Sequence, residues 1–281
     1  MAAGTRSIDP RTRTLRELAA GTACLVSVTA GLQLVAGYAP NPITRAFVGA
    51  FALSLVASTV GLDAEAPGPS VRRRILRATL LGLAAALVSL AAALALGGHV
   101  RSGEVGLGTL LGVAESLAVA YRDEVWLRGL PLYFARRAGL SSRVTLPYLV
   151  ATGVCAVALD PVAKVSGLAL TAANGLAFAA LWLRTGDPWA PVAAHGAWRI
   201  ASDVVFAGDV VELEPSKIPT SVGASGILAW VGVAAALGVA LSASRALPAE
   251  GSDEPPREDD VAPEEAGESG PHDDAPSDED A

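Results

Sequence analysis

Arg122, Asp123, Glu124 and Arg128 fall within seven positions of an otherwise apolar stretch, AVAYRDEVWLRGLPLYFARR at 118–137. On a helix Glu124 and Arg128 are four apart and share a face, in the order that favours an ion pair. Charges inside apolar segments are costly, and they usually face a cavity or one another. Four further places carry such groups: Glu115, Asp160 with Lys164, His195, and Arg199 with Asp203. A carboxylate shielded from bulk water serves as a general base, and donors preset at a developing negative charge lower the barrier by several kcal/mol. Each group also has a plainer account. The cluster at 122–128 could end a helix at an interface, with Trp126 and Tyr133 among the headgroups. Asp160–Lys164 and Arg199–Asp203 could be ordinary ion pairs at i,i+4, Glu115 a polar contact between helices, and His195 a packing residue.

The elements that must position these residues are membrane helices. The chain has 281 residues, 52% hydrophobic and only 17% charged, below the roughly 25% of a soluble domain. Apolar blocks lie at about 18–38, 46–62, 78–98, 105–121, 144–160, 163–183, 189–207 and 224–245, which suit spans of about 18 residues or more. The fold class expected is all-α, a polytopic membrane protein of about eight transmembrane helices with a disordered acidic C-terminal tail. The first block is longer than a signal-peptide core, lacks a small-residue cleavage site and is followed by more spans, so it is expected to be retained. Runs such as LGLAAALVSLAAALALGG supply small side chains that let helix backbones approach.

Net charge is −7 overall, yet residues 250–281 hold 14 acidic groups and one basic group, leaving +6 on the rest. The tail is too poor in apolar residues to fold, and His272 within it reads as a solvated side chain. Arginines flank apolar segments instead of clustering on a polar domain, so no nucleic-acid partner is expected. Cys24 and Cys155 sit inside apolar blocks without metal-ligand spacing. With the N-terminus in the cytoplasm, the cytoplasmic loops collect fifteen Lys and Arg, Arg122 and Arg128 included, against four on the opposite side. That bias follows the positive-inside rule and places both termini in the cytoplasm. Abundant Arg, Ala and Gly suggest a bacterial inner membrane.

DEVWLRG at 123–129, followed by RTGDPWAPVAAHGAW at 184–198, resembles the CPBP family of intramembrane proteases, the CAAX-protease and bacteriocin-processing group that includes myxosortase-like members. The resemblance covers roughly residues 105–207. That family's first motif is Glu-Glu-x-x-x-Arg, its second Phe-x-x-x-His, and its third a His followed four residues on by Asn or Asp. Here Asp123 stands at the leading glutamate, while Glu124 and Arg128 match. The second motif aligns best with AVALD at 156–160, putting Ala156 for Phe and Asp160 for His. In the third, His195 matches and Arg199 replaces Asn or Asp.

The resemblance implies a glutamic-type endopeptidase acting in the membrane. Asp123 and Glu124 would activate water, Arg128 would position the carboxylate pair, and His195 and Arg199 would be oxyanion donors. Asp160 would be a water or metal partner. No cofactor is expected, although His195, Asp123 or Glu124, and Asp160 could together approach the three or so ligands zinc wants. The implied partners are the lipid bilayer and a membrane-embedded or lipid-anchored peptide substrate. The missing motif-two histidine and the arginine in motif three also fit a lapsed relative serving as a membrane scaffold or immunity protein. The organisation expected is a basic cytoplasmic segment (1–17), N-terminal membrane helices (18–104), catalytic core helices (105–207), an external loop with a last helix (208–247) and the tail (248–281). No internal repeat of the kind that marks a two-half transporter is visible.

Overall fold

The structure is a computed structural model that describes residues 10–39, 41–60, 62, 69–95, 99–158, 165–206, 210–214, 234, 237 and 238. All of the eighth apolar block except 234, 237 and 238, the acidic tail, Asp160 and Lys164 lie outside the described residues.

Helices α1 (Pro10–Tyr38), α2 (Pro42–Val60) and α3 (Pro69–Ala95) come first. Helix α4 (Leu107–Glu124) passes through one turn of π-helix (Val125–Gly129) into α5 (Leu130–Arg137), so that 107–137 forms one long rod. Then follow α6 (Ser142–Ala158), α7 (Val165–Thr185) and α8 (Trp189–Arg199), which ends in a second π-turn (Ile200–Val205). All-α describes this body, with one addition that hydropathy alone did not suggest. Strands β1 (His99–Ser102) and β2 (Val211–Glu214) pair antiparallel with His99 opposite Glu214. Among the described residues four helices, α1, α2, α3 and α7, are long and apolar enough to cross a membrane, and α6 is a shorter apolar helix. Leu34, Phe51, Leu76, Leu80, Leu87 and Leu110 are among the large apolar side chains left exposed, as expected of surfaces that meet lipid.

Contacts along the rod fix the packing order. Thr14 Oγ1 donates to the Ala138 carbonyl at 3.0 Å, and Arg137 pairs with Glu17 at 3.0 Å. A methyl group on Gly21 would come within 2.8 Å of Phe134 Cβ, and Trp126 Nε1 donates to Thr29 Oγ1 at 3.2 Å. Helix α1 therefore runs antiparallel to α4–α5 along most of its length. Helix α2 runs parallel to α4. Ala46 packs with Ala118 and Val119, Gly49 faces Arg122, and Leu53 and Ala57 pack on Val125. Helices α3 and α8 are also parallel, because Arg74 pairs with Asp187 at 2.9 Å and Gly82 lies against Ala194.

These registers place the charge cluster well inside the molecule. Glu124 is thirteen residues before Arg137, about 20 Å along the rod at 1.5 Å per residue. Thr29, the partner of Trp126, is near the middle of the apolar block of α1. Arg122 and Arg128 thus belong to the bundle interior, not to the basic end that holds Arg136, Arg137, Arg143 and Arg184. Removing them from the charge count leaves thirteen against four, and the asymmetry persists.

The α3–α8 seam is the closest approach of backbones. Alanine side chains from α3, α7 and α8 (Ala78, Ala173, Ala177, Ala180, Ala190, Ala194) form its buried core together with Phe178 and Leu181. A Cβ at Gly82 would lie 2.1 Å from the carbonyl oxygen of Ala194, a backbone atom that cannot swing aside. Gly82→Ala is expected to cost at least the 1–3 kcal/mol typical of overpacking. Gly31→Ala, where nothing lies within 4 Å of the new methyl, should be neutral or stabilise by up to about 1 kcal/mol. Thermal unfolding of the two purified variants beside the parent checks this; equal midpoints would contradict the seam.

Candidate active site

Glu124 closes α4, and the π-turn that follows has a local cause. Pro131 has no N–H to give the carbonyl of Leu127, and its ring crowds that oxygen. The chain widens, and the Leu130 N–H bonds instead to the Val125 carbonyl five residues back. Such insertions are frequent at functional sites. The second π-turn follows Arg199, where the Phe206 N–H bonds the Ala201 carbonyl; no proline marks it.

Three side chains from two helical rods meet between these turns. The Glu124 carboxylate is fully buried, with 0% of the residue exposed, and Arg128 retains only 3%. One oxygen, Oε1, accepts from Arg128 Nη1 at 2.6 Å and lies 2.8 Å from His195 Nδ1. With the carboxylate ionised, Nδ1 must carry the proton and donate. The other oxygen, Oε2, is buried and has no hydrogen-bond partner among the described residues. Phe178 of α7 stacks on the His195 ring, centroids 4.9 Å apart and planes 18° from parallel, and the Arg128 guanidinium stands 5.5 Å from the centre of the same phenyl ring. Glu124 is thus fixed by one oxygen while the other keeps its lone pairs. The aromatic ring holds imidazole and guanidinium in place from the side.

The remaining described candidates have other partners or neighbours. Adjacent helical residues point about 100° apart, and Asp123 duly takes a different partner from Glu124. Its Oδ1 accepts from Arg122 Nε at 2.8 Å and pairs with Nη2 at 2.7 Å. Arg128 therefore contacts Glu124, and a different arginine holds Asp123. Arg199 pairs with Asp203 at 2.7 Å, the i,i+4 bridge foreseen from spacing. Glu115 lines a cleft of about 200 Å³ with Arg45 and Arg122. Among the described residues no group of three His, Cys, Asp or Glu side chains converges as a metal site would need.

Sequence reasoning missed Phe178, which is indistinguishable by type from any other buried aromatic. It also missed Asn174, one turn earlier on the same face of α7, whose Oδ1 is buried without a partner among the described residues. Gly129, the glycine after Arg128, has a steric explanation: a Cβ there would come within 2.6 Å of the buried Trp182 ring.

Removing one partner of a buried ion pair leaves an uncompensated charge and costs about 3–5 kcal/mol, whereas replacing both is often near neutral. Arg128→Met alone is expected to destabilise by that amount, and Glu124→Gln combined with Arg128→Met to recover most of it. Thermal unfolding of the purified single and double variants measures the difference; a single variant no worse than the double one would mean that the pair does not carry the buried charge.

Residues 104–201 match the model of the family described as type II CAAX prenyl endopeptidase Rce1-like. No curated protein and no solved structure matches the chain. The matched stretch contains Glu124, Arg128, Phe178 and His195, and it is consistent with the CPBP resemblance carried by the motifs. The part of the chain that builds the site is thus similar to this Rce1-like family, which generally comprises intramembrane endopeptidases.

Proposed function

We propose that the protein is an intramembrane endopeptidase that uses Glu124 as its general base. The observation that carries this reading is the asymmetry of the carboxylate: Oε1 is held by Arg128 and His195, and Oε2 is buried and unpartnered. Oε2 takes a proton from a water molecule, whose oxygen attacks the carbonyl carbon of the scissile peptide. The tetrahedral oxyanion is stabilised by Nε2–H of His195 in its imidazolium form, with Nδ1–H kept on Glu124, and by Arg199 once its Nη2 releases Asp203. The C–N bond then breaks, and the proton held by Glu124 passes to the leaving amine. Asp123 is the second carboxylate of the pair and shapes the field at the water, while Asp160 takes the place of the second-motif histidine.

The substrate is a membrane-embedded or lipid-anchored peptide, such as a C-terminal sorting segment. It reaches the site from within the bilayer, since Glu124 lies level with the middle of the apolar block of α1. The protein sits in the inner membrane with its basic end and both termini in the cytoplasm. A second reading, a lapsed relative acting as a scaffold, draws support from the two ion pairs that occupy Asp123 and Arg199.

The test is cleavage in cells of single-span and lipid-anchored reporter peptides, with variants compared at matched membrane abundance. Glu124→Gln and His195→Ala are expected to lower cleavage by about 10²–10⁴-fold, the usual worth of a general base or an oxyanion donor. Asp123→Asn, Arg199→Gln and Asp160→Asn should each lower it measurably. Wild-type protein that cuts none of the reporters yet retains them on affinity capture would sink the enzyme reading in favour of the scaffold.

A further inference from the structure

At the basic end, on the far side of α8 from α4, a cleft of about 230 Å³ opens between α3, α7 and α8. Three arginines line it, Arg74 and Arg77 from α3 and Arg184 from the end of α7, above a floor that includes Leu81 and Leu181. Their situations differ. Arg74 gives both Nε and Nη2 to Asp187 Oδ2 at 2.9 Å. The other oxygen of Asp187 caps α8, accepting the N–H groups of Trp189 at 3.0 Å and Ala190 at 3.3 Å. Arg77 and Arg184 are exposed and have no ion-pair partner among the described residues. Among the described residues the cleft thus carries three guanidiniums against one carboxylate, and that carboxylate is already committed.

We propose that this cleft binds a phosphate-bearing anion, supplied as the headgroup of an anionic membrane lipid. Guanidinium groups recognise phosphate through charge-assisted, often bidentate bonds. Here they approach from two helices, which suits a tetrahedral group better than a planar carboxylate that one fork would satisfy. The apolar floor, and Leu76 and Leu80 exposed on the same helix as Arg77, offer apolar surface to the glycerol and acyl chains. Basic pockets between membrane helices at the cytoplasmic face are suited to such headgroups. Because one wall is the first turn of α8, the lipid would brace the helix that carries His195. The proposal does not depend on catalysis, and it stands or falls separately from the proteolytic reading.

The experiment uses the purified full-length chain reconstituted in phosphatidylcholine alone or with added phosphatidylglycerol, followed by thermal unfolding and native mass spectrometry. Variants are Arg77→Gln, Arg184→Gln and their combination; Arg74 is left intact because it holds the cap of α8. Phosphatidylglycerol is expected to raise the unfolding midpoint and to stay bound. Each arginine removed should weaken binding about five-fold, from roughly 1 kcal/mol per basic residue near a membrane surface. The double variant in phosphatidylcholine should unfold at the parental midpoint, showing that it is folded. Inorganic phosphate competing with phosphatidylglycerol supports the headgroup assignment. Inorganic phosphate stabilising the protein with no added effect of the lipid would overturn the lipid as the source. Equal midpoints in the two membranes, or a lipid effect unchanged in the double variant, would overturn the site.

Discussion

A carboxylate with no exposed surface, in the middle of an Ala- and Leu-rich bundle, is the constraint the rest of the structure accommodates. An isolated buried charge of that kind is prohibitive unless it is paired and hydrogen-bonded. Arg128 supplies the charge from one turn away, and His195 supplies a second donor from another helix. The requirement spreads outward from there. The π-turn widens the rod where Arg128 departs, Gly129 makes room for Trp182, and Phe178 braces both donors. Gly82 lets α8 settle close enough on α3 to bring His195 to its place.

The arrangement also divides the work of the two oxygens. Using Oε1 for both donors is less economical for stability than giving one donor to each oxygen, because buried acceptors normally find partners. Leaving one buried lone pair unmatched is a local departure of the kind concentrated at functional sites. Asp123, by contrast, is paired with its neighbour Arg122, and Arg199 gives Nη2 to Asp203 while its buried Nε has no partner among the described residues. A reaction that engages the Nη2 of Arg199 has to exchange an existing bridge for the substrate oxyanion. It is a half-exposed bridge, of the sort worth little in stability, so the exchange is an easy one.

Much of the helical layout was visible in the chain. Seven of the eight apolar blocks coincide with helices, and the i,i+4 spacing of Glu124 and Arg128 foretold their pairing. What composition could not convey was depth. Arg122 and Arg128 counted as cytoplasmic because they are charged, but the helix runs on through Leu130–Ala135 before reaching the arginines of its true end. The facing of Asp123 away from Glu124 depends on which helices flank α4, which is tertiary information. Phe178 and Asn174 lie in a segment whose pattern is that of any buried helix. The β1–β2 pair joins segments more than a hundred residues apart, and nothing local in either one announces its partner.

The long rod has a consequence for how the protein reaches the membrane. Its α4 portion is not among the helices apolar enough to cross a bilayer unaided, and a lone Arg or Asp at mid-membrane is penalised by about 2.5–3.5 kcal/mol during insertion. Two things offset that penalty. Arg122 with Asp123, and Glu124 with Arg128, are neutral pairs within one helix, so they can form before any partner arrives. Helices α1 and α2, which later flank the cluster, are synthesised first and insert on their own hydrophobicity. The order of elements along the chain is thus also an order of biogenesis, in which the N-terminal helices that hold none of the chemistry act as the reception site for the helix that holds most of it.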